Sequence, residues 1–190
     1  RQLLAAGEPE QAAAYMPPAA AEILRRELAA GRITDGTLCQ RAILSRLRTM
    51  TAEDWRRFDG GGEGLGNRLY QASRTGSTLE AVLAAAKTKR YPMARLRRMV
   101  LAAWLDLPAP PERAPYLRVL GFTAKGAEIL NRVKGRHTLP LSASLAELEK
   151  AGETAALFAA LETRAADLYH AFTPGLAPCG SEYTTPVIKI

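Results

Sequence analysis

The sequence predicts a mainly α-helical fold with at most a small two- to three-stranded sheet near residues 116–142. Alanine and leucine dominate the composition, β-branched residues are sparse, and aromatic residues make up only 6% of the chain. Such a composition favours helices over strands. The chain has 190 residues, 47% of them hydrophobic, which predicts one domain, or one domain with a small appendage, around a buried core.

The first part of the chain is predicted to be helical. Residues 1–30 are divided into short helices by glycine and proline, and Gly31 stands where a helix end commonly adopts a left-handed conformation. A longer helix is predicted over residues 36–49, with Thr34 or Asp35 as its cap. The inward-facing residues are predicted to be Ile23, Leu24, Leu28, Leu38, Ile43, Leu44 and Leu47.

A run of three glycines follows the next predicted helix. Thr51 opens that helix, with acidic residues in its first turn, and the glycines occupy residues 60–62. They do not match a phosphate-binding loop, because no Gly-Lys-Ser or Gly-Lys-Thr follows and no strand precedes them. We interpret them as a flexible or tightly turning connection. We divide the chain into a helical segment over residues 1–60 and an α-rich domain over residues 61–190.

Two helix starts organise the middle of the chain. Ser77 and Glu80 are spaced as a capping box. Pro92 suits the first turn of the following helix, because its fixed φ and missing N–H cost nothing there. Arg95 and Arg98 are three residues apart and project together from one side of that helix. Another side is predicted to be buried and consists of Met93, Leu96, Val100, Ala103, Trp104 and Leu107.

The best strand candidate covers residues 116–122, after a proline-rich connector. A helix is predicted over residues 123–134, and residues 139–142 are expected to pair with the first strand in a βαβ-like fragment. A long helix over residues 153–172 is expected to close the core, and the tail ends in a short apolar extension, residues 187–190. The inward residues of the two helices are predicted to be Ile129, Leu130, Val133, Leu157, Phe158, Leu161, Leu168 and Tyr169.

Residues 87–98, called the basic segment from here on, hold six formal positive charges and no acid, in a chain of net charge +7. Cations at a helix start are disfavoured by the helix dipole, so the arginines after Pro92 indicate that an anion binds there. A phosphate backbone is the natural anion, and a solvated surface is the alternative. Tyr91 either stacks on a base or packs in the core. The candidate phosphate contacts are Lys87, Lys89, Arg90, Arg95, Arg97 and Arg98.

Other functional classes find less support in the sequence. No run of about 18 apolar residues occurs and no signal peptide opens the chain, so no membrane or secreted protein is predicted. Cys39 and Cys179 are far apart, and neither His137 nor His170 lies near them, so no metal site is expected. A reduced, cytoplasmic location fits these thiols. Arg1 is not a methionine, which suggests the carboxy-terminal part of a longer protein.

Five motifs occur in a fixed order along the chain. They are residues 63–69, residues 87–91 with the arginine-rich helix after them, residues 116–122 with Lys125 and Gly126, residues 139–141, and residues 164–169. Together they resemble the carboxy-terminal portion of the bacterial tRNA(Met) cytidine acetate ligases, a nucleotidyltransferase-like family. The resemblance covers the whole chain.

The resemblance implies an enzyme that activates acetate with ATP and Mg, forming acetyl-adenylate, and then acetylates the wobble cytidine of elongator tRNA(Met). It also implies an amino-terminal, Rossmann-like nucleotidyltransferase domain whose His-x-x-His motif handles ATP. His137 and His170 are isolated, so that motif is missing here. We therefore expect a carboxy-terminal tRNA-binding part that works with its own amino-terminal domain, binds no cofactor alone and is inactive alone.

The resemblance also suggests roles for single residues. Arg1 and Gln2 match the end of a family motif at the ATP phosphates, and an ordinary exposed arginine at a helix start is the alternative. Asn67 and Arg68 are expected near the tRNA or the nucleotide, with a helix cap and a surface ion pair as the alternatives. Arg118 is expected to be structural. The predicted tRNA-binding set is Lys87, Lys89, Arg90, Tyr91, Arg95, Arg97, Arg98, Asn67 and Arg68.

Two other classes of protein stay open at this point. One is a stand-alone helical module that binds nucleic acid and has no enzymatic activity. The other is a structural or dimerisation domain in which the basic segment only makes the surface soluble.

Overall fold

The computed structural model describes residues 2–59, 62 and 64–190. Backbone packing divides the chain into two compact units. The first unit contains Arg1–Leu107 and Tyr169–Leu176, and the second contains Pro108–Leu168 and Ala177–Ile190. The domain boundary predicted between residues 60 and 61 rests on the functions expected of the two parts and not on their packing, and it stays a prediction.

The first unit is built from helices in its described residues. They are α1 (Gln2–Ala5), α2 (Pro9–Ala13), α3 (Pro18–Ala29), α4 (Gly36–Thr49), α5 (Ala52–Arg56), α6 (Leu65–Thr75), α7 (Leu79–Ala86) and α8 (Met93–Leu105). Helix α4 packs against α6, α7 and α8, while α6 also packs against α5 and α7. These helices form the body that carries the basic segment.

Side-chain caps fix the starts of several helices. Asp35 Oδ1 accepts the Thr37 N–H at 2.7 Å, so Asp35 rather than Thr34 caps α4. Thr51 and Asp54 form a reciprocal capping box at α5, which confirms the predicted helix start. The box predicted at Ser77 and Glu80 is wrong, because the cap of α7 lies one residue later. Thr78 Oγ1 accepts the Ala81 N–H at 3.1 Å.

The core of the first unit lies among α4 to α8. Its fully buried side chains include Leu47, Trp55, Leu69, Val82 and Leu96. Burial of each such side chain contributes about 1.5–3 kcal/mol to stability. Most of the predicted apolar faces of α4 and α8 are confirmed, with two exceptions outside this core, Leu38 (50% exposed) and Leu107 (37% exposed). Ile23 of α3 was also predicted to face inward and is 50% exposed.

Leu107 is exposed because α8 ends before it. The cap residue Asp106 has φ 51° and ψ 51°, in the left-handed region, and so turns the chain out of the helix. The helical spacing that predicted burial of Leu107 therefore no longer applies.

The second unit combines short strands with helices. Its elements are β1 (Leu117–Arg118), β2 (Gly121–Phe122), α9 (Ala124–Val133), β3 (Leu141–Ser142), α10 (Leu145–Leu148), a 3-10 helix (Glu149–Ala151), α11 (Glu153–His170), α12 (Ser181–Thr184) and β4 (Ile188–Lys189). The last two residues of α11 belong to the first unit. The small core of the second unit consists of Tyr116, Leu145, Leu148, Ala155 and Ala159.

The predicted fold class, one helical domain with a single small sheet near residues 116–142, is corrected by two separate two-stranded parallel sheets. Leu117 pairs with Leu141 in the first sheet, as the βαβ-like fragment predicted. Gly121 pairs with Ile188 in the second sheet. The predicted strand over residues 116–122 divides because its two ends take different partners. The second partner comes from the apolar extension, which the sequence did not identify as a strand.

The predicted inward faces of α9 and α11 are wrong in part. Helix α9 has no buried residue, and Ile129 is 57% exposed, because it packs against β2, a strand too short to cover its apolar stripe. In α11 the buried positions are Ala155 and Ala159, whereas Leu157 and Tyr169 are each 48% exposed. Small alanine side chains allow close packing, so the larger residues lie beside this face.

Candidate nucleic-acid interface

The basic segment begins at the end of α7 and continues into α8. Lys87 is the cap of α7, and a short loop leads from it to Pro92, the cap of α8. Two hydrogen bonds close this loop. The Tyr91 N–H donates to Thr88 Oγ1 at 3.1 Å, and the Thr88 N–H donates to the Tyr91 carbonyl at 3.4 Å. The segment is therefore a defined loop followed by the first turns of a helix.

Five of its six cations are exposed to solvent. They are Lys87, Lys89, Arg90, Arg97 and Arg98. Arg95 is half-buried, and Tyr91 is only 7% exposed, within the hydrophobic core. The Arg90 and Arg95 guanidinium carbons lie 5.7 and 5.6 Å from the centre of the Tyr91 ring. This geometry matches the packed-core alternative for Tyr91, whose ring face helps to position two of the arginines.

Arg68 lies beside the basic segment, although it is distant in sequence. Its Nε donates to the Ala86 carbonyl at 2.9 Å and its Nη2 to the Ala85 carbonyl at 3.3 Å. These carbonyls end α7, where a cation also interacts favourably with the helix dipole. The expected surface ion pair is replaced by this contact. Arg68 therefore has a structural role and also brings its charge next to Lys87.

Asn67 lies on a different surface from Arg68. It lines a depression of about 200 Å³ together with Arg56, Asp59 and glycines 62, 64 and 66. Asn67 is not a helix cap, because Gly64 caps α6 with φ 82° and Asn67 is the third residue of the helix. Within the described residues no hydrogen bond joins Asn67 to the basic segment, so its predicted role in tRNA binding stays a prediction.

Asp59 was not singled out from the sequence. Its carboxylate is buried, and Oδ2 accepts the Gly66 N–H at 3.0 Å, near the start of α6. Oδ1 finds no hydrogen-bond partner in the described part of the chain. A Cβ added at Gly66 would lie 3.2 Å from Trp55, so α6 and α5 approach closely here. No periodic pattern signals a single acid before a glycine run, which explains why it was missed.

Arginines outside the basic segment extend the positive surface. Helices α4 and α6 contain five arginines and no acid: Arg41, Arg46, Arg48, Arg68 and Arg74. Arg74 donates to the carbonyls of Arg48 and Met50 at the end of α4, and its guanidinium carbon is 4.6 Å from the centre of the Tyr70 ring. Helices with several arginines and no acid are a signal in the sequence that indicates a positively charged surface.

The predicted nucleotide contacts are at the start of the chain. Arg1 lies outside the described residues. Gln2 is exposed, at the first residue of the four-residue helix α1. The ATP contact predicted for Arg1 and Gln2 stays a prediction.

Arg118 has the structural role that the sequence predicted. Its Nη1 donates to Glu162 at 2.7 Å and also to Glu182, and Tyr116 Oη donates to Glu162 Oε1 at 2.6 Å. Burial and this hydrogen bond raise the pKa of the Tyr116 phenol well above its usual value. The cluster ties β1 to α11 and α12 within the second unit.

The remaining chemical groups define no further centre in the described residues. No group of three or more His, Cys, Asp or Glu side chains that could hold a metal ion occurs among residues 2–59, 62 and 64–190. Burial raises the pKa of the Cys39 thiol, while Cys179 is exposed. None of the described helices is both long and apolar enough to cross a membrane.

Comparison with known proteins gives the class of protein first. The family model described as HIGH Nucleotidyl Transferase matches residues 1–181, and the chain belongs to this family. The match extends over nearly the whole chain, including both packing units.

The relatives are more specific than the family. The tRNA(Met) cytidine acetate ligase of Acetivibrio thermocellus is 30% identical over 187 residues, which cover 91% of this chain and 44% of that protein. The tRNA(Met) cytidine acetate ligase of Syntrophomonas wolfei is 32% identical over 182 residues, covering 88% of this chain and 44% of that protein. The resemblance to these ligases is thus confirmed, and the chain spans less than half the length of either relative.

Solved structures share the fold. The crystal structure of Thermotoga maritima TmcAL bound with alpha-thio ATP matches with a TM-score of 0.90 and 24% identity, over 100% of this chain and 50% of that one. The apo form I of the same protein matches with a TM-score of 0.85 and 24% identity, over 100% of this chain and 49% of that one.

The family match corrects the predicted function. The nucleotidyltransferase model itself matches residues 1–181, so the description of the chain as a carboxy-terminal tRNA-binding part outside the nucleotidyltransferase does not hold. The same match overturns the expectation that ATP belongs mainly to a nucleotidyltransferase domain missing from this chain. Isolated histidines do not place a chain outside the family, because the match rests on its whole length and not on one motif.

Proposed function

We propose that the complete protein containing this chain is an ATP-dependent tRNA(Met) cytidine acetate ligase, and that the basic segment holds its tRNA. The observation that carries the activity is the pair of ligase relatives, each aligned with about nine-tenths of this chain. In the proposed reaction, acetate and ATP give acetyl-adenylate and pyrophosphate, and the exocyclic amine of the wobble cytidine then takes the acetyl group and loses a proton as AMP leaves.

The chemistry of the basic segment fits the second step. A wobble base must leave the anticodon stack before its amine can react, and a positive surface must hold the stem meanwhile. Five exposed cations and the half-buried Arg95 supply that surface. If all six contacted phosphates, the slope of log affinity against log salt would be about −4 to −5.

ATP is the proposed co-substrate of the complete protein. The support for it is the structural neighbour that was solved with alpha-thio ATP. When bound, ATP supplies the adenylyl group that activates acetate. Because the chain aligns with only 44% of each ligase relative, we expect acetylation from the complete protein and not from these 190 residues alone, and we expect it in the cytoplasm.

The activity is tested with the complete protein, ATP, acetate and tRNA(Met). We expect the wild type to acetylate the tRNA. In the R97E/R98E double variant the acetylation rate at limiting tRNA should fall by a factor of about ten or more, because each reversal removes a phosphate contact. ATP–pyrophosphate exchange, which reports acetate activation, should be unchanged. The matched control is R132E/R136E, which reverses two exposed arginines four residues apart.

The outcomes separate the activity from the site. Wild-type protein that binds tRNA(Met) but does not acetylate it would contradict the ligase and support a nucleic-acid-binding module. Acetylation at an equal rate in R97E/R98E and in the control would contradict the role of the basic segment while leaving the ligase intact.

A further inference from the structure

A second concave surface lies in the first unit, outside the basic segment. It has a volume of about 490 Å³ and is lined by Arg41, Leu44, Ser45, Arg48, Thr49 and Ser77. We infer that this α4 cleft binds a backbone phosphate of the same RNA that the basic segment holds, an inference that rests on the proposed function. Two guanidinium groups and three hydroxyls line the cleft, and all five side chains are exposed.

The lining follows from helical spacing. Arg41, Ser45 and Arg48 lie at positions i, i+4 and i+7 of α4, so they share one face of the helix. Ser77 comes from the turn just before α7, whose eight residues start at Leu79. The N-terminal end of α7 carries a partial positive charge that also favours an anion. The cleft is therefore lined by hydrogen-bond donors from α4 and from the turn before α7.

The charge around the cleft is strongly positive. Helix α4 and the helices packed against it, α6, α7 and α8, contain a single acid, Glu80. The same four helices contain eight arginines: Arg41, Arg46, Arg48, Arg68, Arg74, Arg95, Arg97 and Arg98. No carboxylate of the described residues forms an ion pair with Arg41 or Arg48. At Arg41 and Arg48 an incoming anion therefore meets positive charge that no acid of the described residues neutralises by an ion pair.

The wall of the cleft is held in place by neutral acceptors. Arg48 Nη2 donates to the Gly76 carbonyl at 2.8 Å, which fixes this guanidinium next to Ser77. Arg74 donates to the carbonyls of Arg48 and Met50, so it covers the negative end of α4. Arg41 makes no hydrogen bond or ion pair within the described part of the chain. Its guanidinium keeps all its donors for a ligand.

A phosphodiester is the ligand that this donor set fits. Guanidinium groups bind phosphate oxygens with two parallel hydrogen bonds, and hydroxyls donate a further one. Helix α7 separates the cleft from Lys87, and eight helical residues span about 12 Å. One RNA stem is longer than this distance, so a single tRNA is long enough to span both surfaces. The cleft then adds a contact at the opposite end of α7 from the basic segment.

The test measures tRNA(Met) affinity of the complete protein over a salt series. The R41E variant reverses a charge of the cleft, and the S45E variant adds an acid without removing an arginine. The matched control is R46E, an equal charge change on the same helix about 140° around its axis from Arg41. In the described part of the chain the side chains of Arg41 and Ser45 make no hydrogen bond or ion pair, and circular dichroism checks that each variant is folded.

We expect R41E and S45E to weaken binding about tenfold relative to R46E. The salt slope of R41E should be less steep by about 0.7–0.9, the contribution of one phosphate contact. ATP–pyrophosphate exchange should be unchanged in both variants, because the cleft takes RNA and not a free nucleotide.

Three results would overturn the inference, and they are distinguishable. If R41E and S45E bind like R46E while R97E/R98E binds weakly, the cleft is not a contact but the proposed function stands. If R41E impairs exchange and leaves tRNA binding unchanged, the cleft serves a free nucleotide. If the wild type binds no tRNA(Met), the proposed function falls and the cleft inference falls with it.

Discussion

At the scale of single residues, the arginines of the positive surface are positioned by an aromatic ring and by backbone carbonyls. Tyr91 is buried in the core with Arg90 and Arg95 near its ring, and Arg68 is anchored on the last carbonyls of α7. Because the partners of Arg68 are carbonyls and not a carboxylate, its charge stays available to an anion. The buried Tyr91 ring and the α7 carbonyls therefore determine where these arginines lie.

Tyr116 gives a residue-scale prediction on pH. Burial and the hydrogen bond to Glu162 raise the pKa of its phenol above the usual 10.0. The folded state therefore favours the neutral phenol, and this stabilisation is complete below pH 10 and is lost as pH rises through the folded pKa. We expect the free energy of unfolding to fall on the alkaline side of pH 10, and less steeply in Tyr116→Phe. Denaturant titrations at several pH values measure both.

An independent readout uses the ultraviolet absorbance of tyrosinate. In native wild-type protein the absorbance difference from Tyr116→Phe should stay absent at pH 10 and develop only at higher pH, together with unfolding. A difference that develops fully near pH 10 in folded protein would contradict the burial and hydrogen bonding of Tyr116.

At the scale of secondary-structure elements, the turns between helices determine where the α4 cleft and the basic segment lie. Helix α6 ends at Thr75, and the chain turns at the cap residue Gly76 towards α7. The α4 cleft lies at one end of α7 and the basic segment at the other. Arg48 and Arg74 fasten this turn to the end of α4 through carbonyl contacts. The arrangement of both positive surfaces therefore depends on the packing of α6 against α7.

Gly76→Ala tests that packing. A Cβ added at Gly76 would lie 2.5 Å from Val82 Cγ2, and the Val82 side chain is fully buried. We expect the substitution to lower the free energy of unfolding by about 1–3 kcal/mol, measured by urea denaturation. Gly36→Ala is the control, because nothing lies within 4 Å of a Cβ there, and it should change stability by less than about 1 kcal/mol. Equal stabilities of the two variants would contradict the close approach of α6 and α7.

Local signals in the sequence predicted local structure well. The helix over residues 36–49, the Thr51 cap and the buried face of α8 follow from side-chain periodicity and hydrogen-bonding chemistry within one turn. The pairing of residues 139–142 with the first strand was also predicted, because a helix lies between the two segments. The helix and cap features depend on residues that are near one another in sequence, and the strand pairing depends on two segments joined by a single helix.

Features that depend on distant partners were not predicted. The second sheet needs β4, a two-residue strand at the end of the chain. Such a strand is too short to show the alternating pattern by which strands are recognised in a sequence. The apolar stripe of α9 has helical spacing, yet no neighbour in its unit buries it. In the candidate site, the contacts of Arg68 and the burial of Asp59 depend on tertiary packing. The sequence therefore identified Arg68 as a candidate but not its contacts, and it did not identify Asp59.

The distribution of charge is the main functional feature at the scale of the whole molecule. Six of the formal positive charges lie in twelve residues of a chain that nets +7. The chain belongs to the HIGH nucleotidyl transferases, and its relatives among the tRNA(Met) cytidine acetate ligases are more than twice its length. We propose that the positive surface of this chain binds the RNA that its relatives are named for.

The salt dependence of tRNA(Met) binding tests that claim most directly. Dissociation constants of the complete protein are measured over a salt series for the wild type, R97E/R98E and the R132E/R136E control. We expect the slope of log affinity against log salt to be less steep by about 1.4–1.8 in R97E/R98E, the equivalent of two phosphate contacts, and unchanged in the control. Equal slopes for all three proteins would contradict the assignment of the basic segment as the surface that holds the tRNA.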